Sequence, residues 1–407
     1  MQKIKFSDQK PVESQSWLNL VSKDLKGASI EEKIYTNKEG LRIQPLYTGS
    51  DVPAVEKNEE GEPDEDILME EFSVDGDTQL LNWNICEEVT LTENEYLNNL
   101  ILPVLRRGCN YIHLQTKNWD KFFDEVRKIE FPATFALSVE GDLTEDEIVS
   151  TWRERIGFIG DRDRFIHSIE FDPVSFWNQQ GKIENENKTY NNLADMFFRL
   201  TAHLHDCKIL KVDVCAFENK TASQQLAYAL SICCEYFYKL NKRDVPLEEL
   251  IHLITFKFHV GNNYFLEIAK IRALKILWSN LVKAFLPDYD FIPGPYMHAV
   301  TSSKDFNTEN KHNILIQRTT QTMSAILGGA DTISVSTYDE NDDMAVRLGT
   351  NIQNLLRFES YADNYRNAAD GSFYVETITT QLAEKAWEEF KEIESNGGVL
   401  NKIIHEV

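Results

Sequence analysis

The residues of this chain that could do chemistry are histidines and carboxylates near the ends of predicted strands. His298 is either a satisfied polar residue near a strand end or a contact to a substrate or cofactor, and the first interpretation is favoured. The pair Asp339-Glu340 follows the last predicted strand, where it can cap a helix or bind a ligand, and a helix cap is the commoner role.

Two further groups of polar residues favour structural roles. His203 and His205 lie close together, but no acidic or cysteine partner at matching spacing accompanies them, so a zinc site is not predicted. His259, Asn262 and Asn263 are typical of a polar turn before a buried helix. No nucleophile, base and acid occur in an arrangement that indicates covalent catalysis.

Eight short runs of β-branched and aromatic residues, separated by helical periods, would position these side chains. The runs cover residues 83–89, 111–115, 134–139, 165–171, 209–217, 254–260, 294–302 and 332–338. Alternation of strands and helices is typical of a parallel sheet, and eight repeats predict a closed (β/α)8 TIM barrel of the α/β class.

Helices follow from the spacing of apolar residues. An amphipathic helix is predicted around Trp17, Leu18, Val21 and Leu25. A long helix is predicted over 264–285, with Lys270, Arg272, Lys275 and Lys283 largely on the face opposite its apolar residues. Another runs through 382–393 and ends at Asn396-Gly397-Gly398, and Gly328-Gly329 is expected to end a helix before the eighth strand.

Length and composition indicate a barrel with an N-terminal extension. We predict an extension over 1–78 and a barrel over 79–407, and the extension contains an acidic run at 56–77 that is expected to be a solvated loop. The 66 acidic residues exceed the 42 basic ones, which gives a net charge of −24. Nucleic acid and anionic membranes are therefore excluded as expected partners.

The cysteines and the apolar residues indicate a cytoplasmic protein. The six cysteines are scattered without CxxC pairs, so we expect buried, reduced thiols. No run of 18 apolar residues and no signal-peptide pattern is present, which predicts a chain without a membrane span or leader.

Long blocks of the sequence resemble the methylmalonyl-CoA mutase family, and its small-subunit branch more than its catalytic one. The blocks are WLNLVSKDLKGA from Trp17, PLYT from Pro45, FHVGNNYFLEIAKIRALKILWSNLVKAF from Phe258, AILGGADTISVSTYDE ending at Glu340, and NAADGSFYVE ending at Glu376. The resemblance implies the interconversion of succinyl-CoA and methylmalonyl-CoA by a radical route that starts from adenosylcobalamin.

Several groups that the resemblance requires of a catalytic chain are missing. The catalytic branch binds CoA phosphates with an Arg-rich segment, where this chain is acidic from Glu70 to Asp77. At the fifth strand, the histidine for the thioester carbonyl is absent from KVDVCAFENK, which begins at Lys211. The Asp-x-His-x-x-Gly motif for cobalamin is also absent, so adenosylcobalamin is expected in the family complex and not on this chain alone.

The resemblance assigns six candidate cofactor-binding residues and no catalytic residue. Glu218 is the approximate counterpart of an acidic residue after the fifth strand. His298, Thr301 and Ser302 match a His-x-x-Thr-Ser pattern of the seventh strand, although the following tryptophan is replaced. Asp339 and Glu340 match a pair that helps to hold the adenosyl ribose in the catalytic branch.

We therefore expect a non-catalytic small subunit that forms a heterodimer with a homologous catalytic large subunit. One alternative is an active acyl-CoA mutase subunit that uses a separate cobalamin-binding polypeptide. Another is a barrel that has lost its ligands and serves only as an assembly surface.

The strands also bear on whether a thioester could enter the barrel. A pantetheine arm on the barrel axis needs small or polar inward side chains, whereas bulky residues occupy possible inward positions here. These bulky residues are Phe135, Leu137, Ile169, Phe171, Phe256 and Phe258. The sequence therefore predicts a channel blocked by apolar side chains.

Overall fold

The N-terminal region contains one helix and one short ladder. A computed structural model of the chain describes residues 14–26, 30, 34–52, 82–116, 118–126, 128–129, 134–139, 146–155, 166–204, 206–304, 311–339, 342–365 and 367–405. Helix α1 (Ser14–Asp24) confirms the predicted amphipathic helix, and β1 (Tyr35–Thr36) pairs antiparallel with β2 (Arg42–Ile43). The acidic segment 56–77 lies outside the described residues.

A closed barrel of eight parallel strands forms the centre of the molecule. The strands are β3 (Asn84–Leu91), β4 (Tyr111–Thr116), β5 (Thr134–Val139), β6 (Ile166–Phe171), β7 (Lys208–Asp213), β8 (Ile254–Val260), β9 (Tyr296–Thr301) and β10 (Thr332–Ser334). The last strand pairs with both β3 and β9, which closes the ring. Each strand overlaps one of the eight predicted runs, so the predicted (β/α)8 TIM barrel is confirmed.

Helices surround the barrel and cover the outer faces of its strands. They are α2 (Leu97–Arg106), α3 (Trp119–Val126), α4 (Asp146–Arg155), α5 (Pro173–Gln180), α6 (Glu186–His203), α7 (Ala222–Asn241), α8 (Leu247–Leu250), α9 (Tyr264–Phe285), α10 (Lys311–Gly328), α11 (Asp343–Phe358), α12 (Phe373–Ser395) and α13 (Gly398–His405). The predicted helix ends at Gly328 and Asn396 are confirmed. Gly329 has a φ of 85°, a left-handed conformation that favours glycine.

Part of the basic face of α9 is buried because α12 forms a second layer over α7 and α9. Arg272 is only 2% exposed, and its guanidinium lies 2.6 Å from the carboxylate of Glu376 on α12. Lys270 lies 2.6 Å from Glu267 within α9 and is also buried. Lys270 and Arg272 are therefore paired inside the protein, whereas Lys283 near the end of the helix is exposed.

The extended segment 34–52 packs against α12. The ring of Tyr47 lies 5.1 Å from that of Tyr374 in an edge-to-face arrangement, and the Thr377 hydroxyl donates to the Asp51 carbonyl at 3.3 Å. A carboxylate oxygen of Glu39 accepts the first backbone N–H of α7 at 2.5 Å. This part of the predicted extension therefore attaches to the helices of its own barrel.

Contacts across the barrel interior, here called the lumen, show which side chains point inward. Lys257 of β8 contacts Glu88 of β3, and His113 of β4 contacts Glu170 of β6. Neither pair of strands is adjacent in the ring, so both contacts must cross the lumen. Because side chains alternate along a strand, the residues between them face the helices.

The prediction that bulky apolar side chains block the lumen is wrong. Phe135, Leu137, Ile169, Phe171, Phe256 and Phe258 occupy the outward positions and join the core between strands and helices. The ring of Phe256 lies 5.3 Å from Trp278 of α9, and that of Phe171 lies 6.3 Å from Trp152 of α4. The helix layer supplies the apolar partners that large side chains need, so small and polar residues remain for the lumen.

The cysteines form no disulfide. Four of them are buried, and burial raises the pKa of the Cys109 and Cys207 thiols to about 12, so both stay protonated at neutral pH. Within the described ranges, no helix is both long enough and apolar enough to cross a membrane.

Candidate functional site

Aromatic side chains close the N-terminal half of the lumen. The His167 ring of β6 lies 5.6 Å from the Tyr111 ring of β4 and 4.6 Å from the Tyr296 ring of β9, measured between ring centroids. Tyr111 is 1% exposed, and the Tyr296 hydroxyl shares a 2.6 Å hydrogen bond with Thr332. We call Tyr111, His167 and Tyr296 the aromatic layer. Burial, assisted by Lys208, lowers the pKa of His167 to about 4, so its ring is neutral at pH 7.

Charged side chains fill the lumen above the aromatic layer. Lys257 Nζ donates to Glu88 Oε1 at 2.7 Å, and His113 Nε2 lies 3.0 Å from Glu170 Oε2. Lys211 Nζ donates to a serine hydroxyl of β5 at 3.3 Å. We call Glu88, His113, Glu170, Lys211 and Lys257 the ionic layer. His113 is 0% and Glu170 is 1% exposed, so this pair is shielded from water.

Mutual pairing keeps the carboxylates and the lysines of the ionic layer charged despite burial. Burial opposes ionisation of both carboxylates, but Lys257 and His113 hold the pKa of Glu88 well below its usual range. His113 and Lys211 have the same effect on the pKa of Glu170. Burial likewise opposes protonation of Lys257, yet Glu88 and Asp213 raise its pKa above the usual lysine value. The contacts that cross the lumen thus connect β3 with β8 and β4 with β6, which are not adjacent in the ring.

His298, a predicted site residue, lies inside the lumen beside this layer. Its Nε2 forms a 2.7 Å hydrogen bond with Ser334 of β10, and its ring lies 5.5 Å from that of His113. Burial and the neighbouring Lys257 lower the pKa of His298 to about 3, and the residue is 1% exposed. His298 is therefore a neutral, hydrogen-bonded residue of the lumen wall.

The C-terminal half of the lumen is open. The Glu88 side chain is 39% exposed although it points inward, and the side chains of Glu218 and His259 are each 26% exposed. Asp213 at the end of β7 is 17% exposed. We call the space lined by Glu88, Asp213, Glu218 and His259 the acidic chamber, with Lys257 at its floor.

Glu218 and Ser302, both predicted site residues, meet at the rim of the acidic chamber. The Ser302 hydroxyl donates to Glu218, whose other carboxylate oxygen lies 3.3 Å from His259 Nδ1. Thr301, the residue before Ser302, shares a 3.1 Å hydrogen bond with Ser336 after β10. The structure thus brings together Glu218, Ser302 and His259, whereas Thr301 joins the ends of two neighbouring strands.

The predicted Asp339-Glu340 pair does not begin the following helix. Asp339 is exposed, and its backbone carbonyl accepts the N–H of Asp342 at 3.3 Å. The cap of α11 is Asp342, whose side chain accepts the Met344 N–H at 3.0 Å. The observed cap therefore lies three residues after Asp339, the position predicted from the sequence. Glu340 lies outside the described residues.

The other polar groups considered from the sequence have structural surroundings. His203 ends α6, and His205 lies outside the described residues. Among the residues the structure describes, no cluster of three or more His, Cys, Asp or Glu could hold a metal ion. The Asn262 side chain accepts from Gln321 at 2.8 Å, and Asn263 is the residue before α9.

Sequence reasoning missed the lumen residues Glu88, His113, Glu170 and Lys257. A signal was present, because each is a charged or ionisable residue in the middle of a run that otherwise reads as a fully buried strand. A buried charge requires a partner, so four such residues on four strands indicate pairing across the barrel.

The described residues do not fit the thioester chemistry that the resemblance implies. After β7, where the resemblance places a histidine for the thioester carbonyl, the chain has no histidine between Val214 and Glu218. The acidic chamber presents carboxylates, which repel an acyl-CoA carboxylate and its phosphates. The lumen groups can pair charges and hold protons, but their donor set is not that of a CoA or cobalamin site. The Arg-rich segment of the catalytic branch corresponds to residues outside the described ranges, apart from its last few.

Comparison with known proteins identifies the family. The sequence pattern of the family described as Methylmalonyl-CoA mutase matches residues 161–407. The methylmalonyl-CoA mutase small subunit of Porphyromonas gingivalis is 28% identical over 97% of this chain and 64% of its own length. The small subunit of Propionibacterium freudenreichii subsp. shermanii is 29% identical over 59% of this chain and 38% of its own length.

The large subunit from Porphyromonas gingivalis is also similar, with 27% identity over 45% of this chain and 26% of its own length. This chain thus spans less than two thirds of the curated relatives it matches. The barrel, the family pattern over 161–407 and the match to small subunits agree with one another. The chain belongs to the methylmalonyl-CoA mutase family.

Proposed function

We propose that this chain is the barrel portion of a non-catalytic small subunit of an adenosylcobalamin-dependent methylmalonyl-CoA mutase. It would pair with a homologous catalytic large subunit that interconverts succinyl-CoA and methylmalonyl-CoA. Adenosylcobalamin would be bound by the complex and not by this chain alone. Within the chain, residues 1–78 would form the partner-contacting extension and residues 79–407 the barrel.

The observation that carries the proposal is the closed lumen. A pantetheine arm that fills the barrel axis would have to cross both the ionic layer and the aromatic layer. Tyr111, His113 and Glu170 are at most 1% exposed, which leaves no passage at their level. Opening one would require breaking buried ion pairs, and the removal of one partner leaves an uncompensated charge that costs about 3 to 5 kcal/mol.

The charge at the mouth supports the same conclusion. Glu88, Asp213 and Glu218 face the acidic chamber, and the whole chain carries a net charge of −24. An acyl-CoA is a polyanion, so its approach to this mouth is electrostatically unfavourable. Carboxylates at this mouth are more consistent with a partner subunit than with a thioester-binding one.

The competing function is an active acyl-CoA mutase subunit that uses a separate cobalamin-binding polypeptide. It requires saturable binding of a CoA thioester in the lumen, which the closed aromatic layer opposes. A third candidate function is an assembly surface without any ligand. It requires the same large-subunit partner but no role for the lumen.

The test is turnover and assembly with purified proteins. The isolated chain, supplied with methylmalonyl-CoA and adenosylcobalamin, should form no succinyl-CoA. Mixed with a homologous large subunit, it should elute as a heterodimer in size-exclusion chromatography. The large subunit alone is the control for basal activity. Succinyl-CoA formed by the isolated chain, or failure to form the heterodimer, would refute the proposal.

A further inference from the structure

We propose that the exposed apolar face of α11 is covered by the apolar part of the acidic run, residues 67–74 of the same chain. This contact lies within one molecule, so it goes beyond the partner role proposed above, and its failure would leave that role standing. It rests on the side chains of α11, on the course of the chain into β3 and on the composition of the run.

The outward face of α11 carries large apolar side chains that are in contact with water. Met344 and Leu355 are each 57% exposed, and Phe358 is 64% exposed. Among the residues the structure describes, no other helix has more than one exposed large apolar side chain. Exposed apolar side chains that are grouped on one face of a protein mark a contact surface.

These side chains belong to one continuous stripe. The stripe consists of five residues that follow one another along α11 at intervals of four, three, four and three residues: Met344, Leu348, Asn351, Leu355 and Phe358. This spacing places them on the same face of a helix, whereas Ile352 and Leu356 lie on a buried face. We call the five residues the α11 stripe. Because it runs along the whole helix, it fits an elongated apolar segment better than a single side chain.

The chain enters β3 directly from the surface of α11. Residues 53–81 lie outside the described ranges, which resume at Asn82. The Trp83 indole N–H donates to the side chain of Gln353 on α11 at 3.1 Å. The Trp83 carbonyl accepts from Arg357, whose guanidinium lies 4.3 Å from the Trp83 ring. The end of the acidic run is thus followed by residues that are fixed to the helix that carries the stripe.

The apolar part of the run is close enough in sequence to reach the whole stripe. Val74 lies nine residues before Trp83, and an extended chain of that length spans about 30 Å. The 16 residues of α11 form a helix about 24 Å long. A short tether gives a segment an effective concentration on the order of millimolar, which favours it over a separate molecule.

The composition of the run suits an apolar surface. Residues 64–77 contain no basic residue and include a group of large apolar ones that a solvated loop would leave in water, namely Ile67, Leu68, Met69, Phe72 and Val74. Contact between this group and the α11 stripe removes apolar surface of both from water.

The charges beside the stripe favour an acidic segment of the same chain over a second copy. Between Met344 and Phe358 the only charged residues are Arg347 and Arg357, and Arg347 is exposed. Acidic residues flank the apolar group on both sides, as in Asp66 and Asp75, and are attracted to these arginines. A second copy would bring another net charge of −24 to the contact, which opposes association.

The experiment measures how fast a thiol reagent modifies Leu355→Cys in the full, isolated chain, with the modified peptide identified by mass spectrometry. The matched reference is Tyr238→Cys on α7, a position of nearly equal exposure, 55% against 57%. We expect Leu355→Cys to react about tenfold more slowly, because a face that is covered for about nine-tenths of the time reacts only while it is uncovered.

Two sets of serine substitutions then test what covers the stripe. The combined changes Ile67→Ser, Leu68→Ser and Phe72→Ser remove apolar side chains of the run, so the reaction of Leu355→Cys should become as fast as that of Tyr238→Cys. The control set alters the same run outside its apolar part and should keep the slow reaction; it consists of Glu59→Ser, Glu60→Ser and Glu62→Ser.

The proposal is overturned if Leu355→Cys and Tyr238→Cys react equally fast in the otherwise unchanged chain. It is also overturned if the slow reaction persists after the three apolar side chains are removed. A slow reaction that becomes fast when the chain is diluted would assign the stripe to a second copy and would equally overturn it.

A cross-linking measurement decides the question even if the triple serine variant fails to fold. The photoreactive amino acid p-benzoylphenylalanine, placed at Phe358, should form a cross-link within the same chain to a peptide from residues 64–77. Cross-links that reach only other peptides would overturn the proposal.

Discussion

The two halves of the lumen are built from the same eight strands but differ in access to solvent. In the N-terminal half and at mid-depth, Tyr111, His113 and Glu170 are almost fully buried, and every charge that crosses the barrel has a partner. In the C-terminal half, Glu88 and Glu218 are 39% and 26% exposed. The lower half thus acts as a core, whereas the upper half has the access that a ligand site requires.

This difference shows why a polar lumen does not by itself indicate a channel. The side chains of the ionic layer are hydrophilic, yet they reach across the axis and meet one another. A barrel can therefore be lined by small and charged residues and still be closed to a thioester. A lumen is open or closed depending on whether its charges pair across the axis, and in this protein they do so in the ionic layer.

Both halves depend on which face of each strand points into the lumen. A substitution that tests this register has the largest expected effect on the free energy of unfolding. Phe256→Ala should lower the free energy of unfolding by about 3 to 5 kcal/mol, since Phe256 is fully buried against Trp278 on the helix side. The matched control is Thr255→Ala, which removes a lumen-facing hydroxyl without a partner and should cost much less. Urea unfolding followed by circular dichroism measures both. Equal losses would contradict the register.

The second prediction compares equivalent carboxylates of the two halves. Glu170→Gln keeps the shape of the side chain but removes a charge that pairs with His113 out of water, so we expect a loss of about 3 kcal/mol. Glu88→Gln should cost less, about 1 kcal/mol, because solvent screens the partly exposed Glu88. The same unfolding measurement applies. If Glu88→Gln were the more damaging change, the upper half would be the tighter core and the comparison would fail.

The third prediction concerns pH and the aromatic layer. The pKa of His167 is about 4 in the folded chain and 6.5 ordinarily, so between these values only the unfolded chain binds the proton. The stability that neutral His167 contributes is present above pH 6.5 and is lost as pH falls toward 4. His167→Gln should therefore reduce the slope of unfolding free energy against pH by about 1.4 kcal/mol per unit.

Urea titrations at several pH values from 4.5 to 6.5 provide this slope, and the unchanged chain is the reference. An identical slope in the His167→Gln variant would mean that the ring is not shielded, and that the N-terminal half of the lumen is as open as the upper one.

The barrel itself could be predicted because its strands are short runs of β-branched and aromatic residues separated by long helices. The side of each strand that faces the lumen could not be predicted. Both faces of a barrel strand are buried, so residues such as Phe135 and Ala136 give no local indication of direction. The apolar helix layer decides which face points outward, and that layer forms through contacts between residues that are far apart in the sequence.

The candidate site could be predicted only in part, because some of its residues depend on partners on other strands. The family resemblance pointed to Glu218, His298 and Ser302, and the structure places these residues in the lumen or at its rim. Glu88 and His113 were not found, because their importance depends on partners on other strands. The cap at Asp342 was missed because α11 begins only at Asp343, four residues after Asp339.

The most direct test of the closed lumen is calorimetric titration of the isolated chain with a non-reactive thioether analogue of methylmalonyl-CoA. The aromatic and ionic layers predict no saturable heat, because the arm of the ligand cannot enter between Tyr111, His167 and Tyr296. A saturable one-to-one isotherm that free CoA competes away would show an open axial passage and would contradict this account.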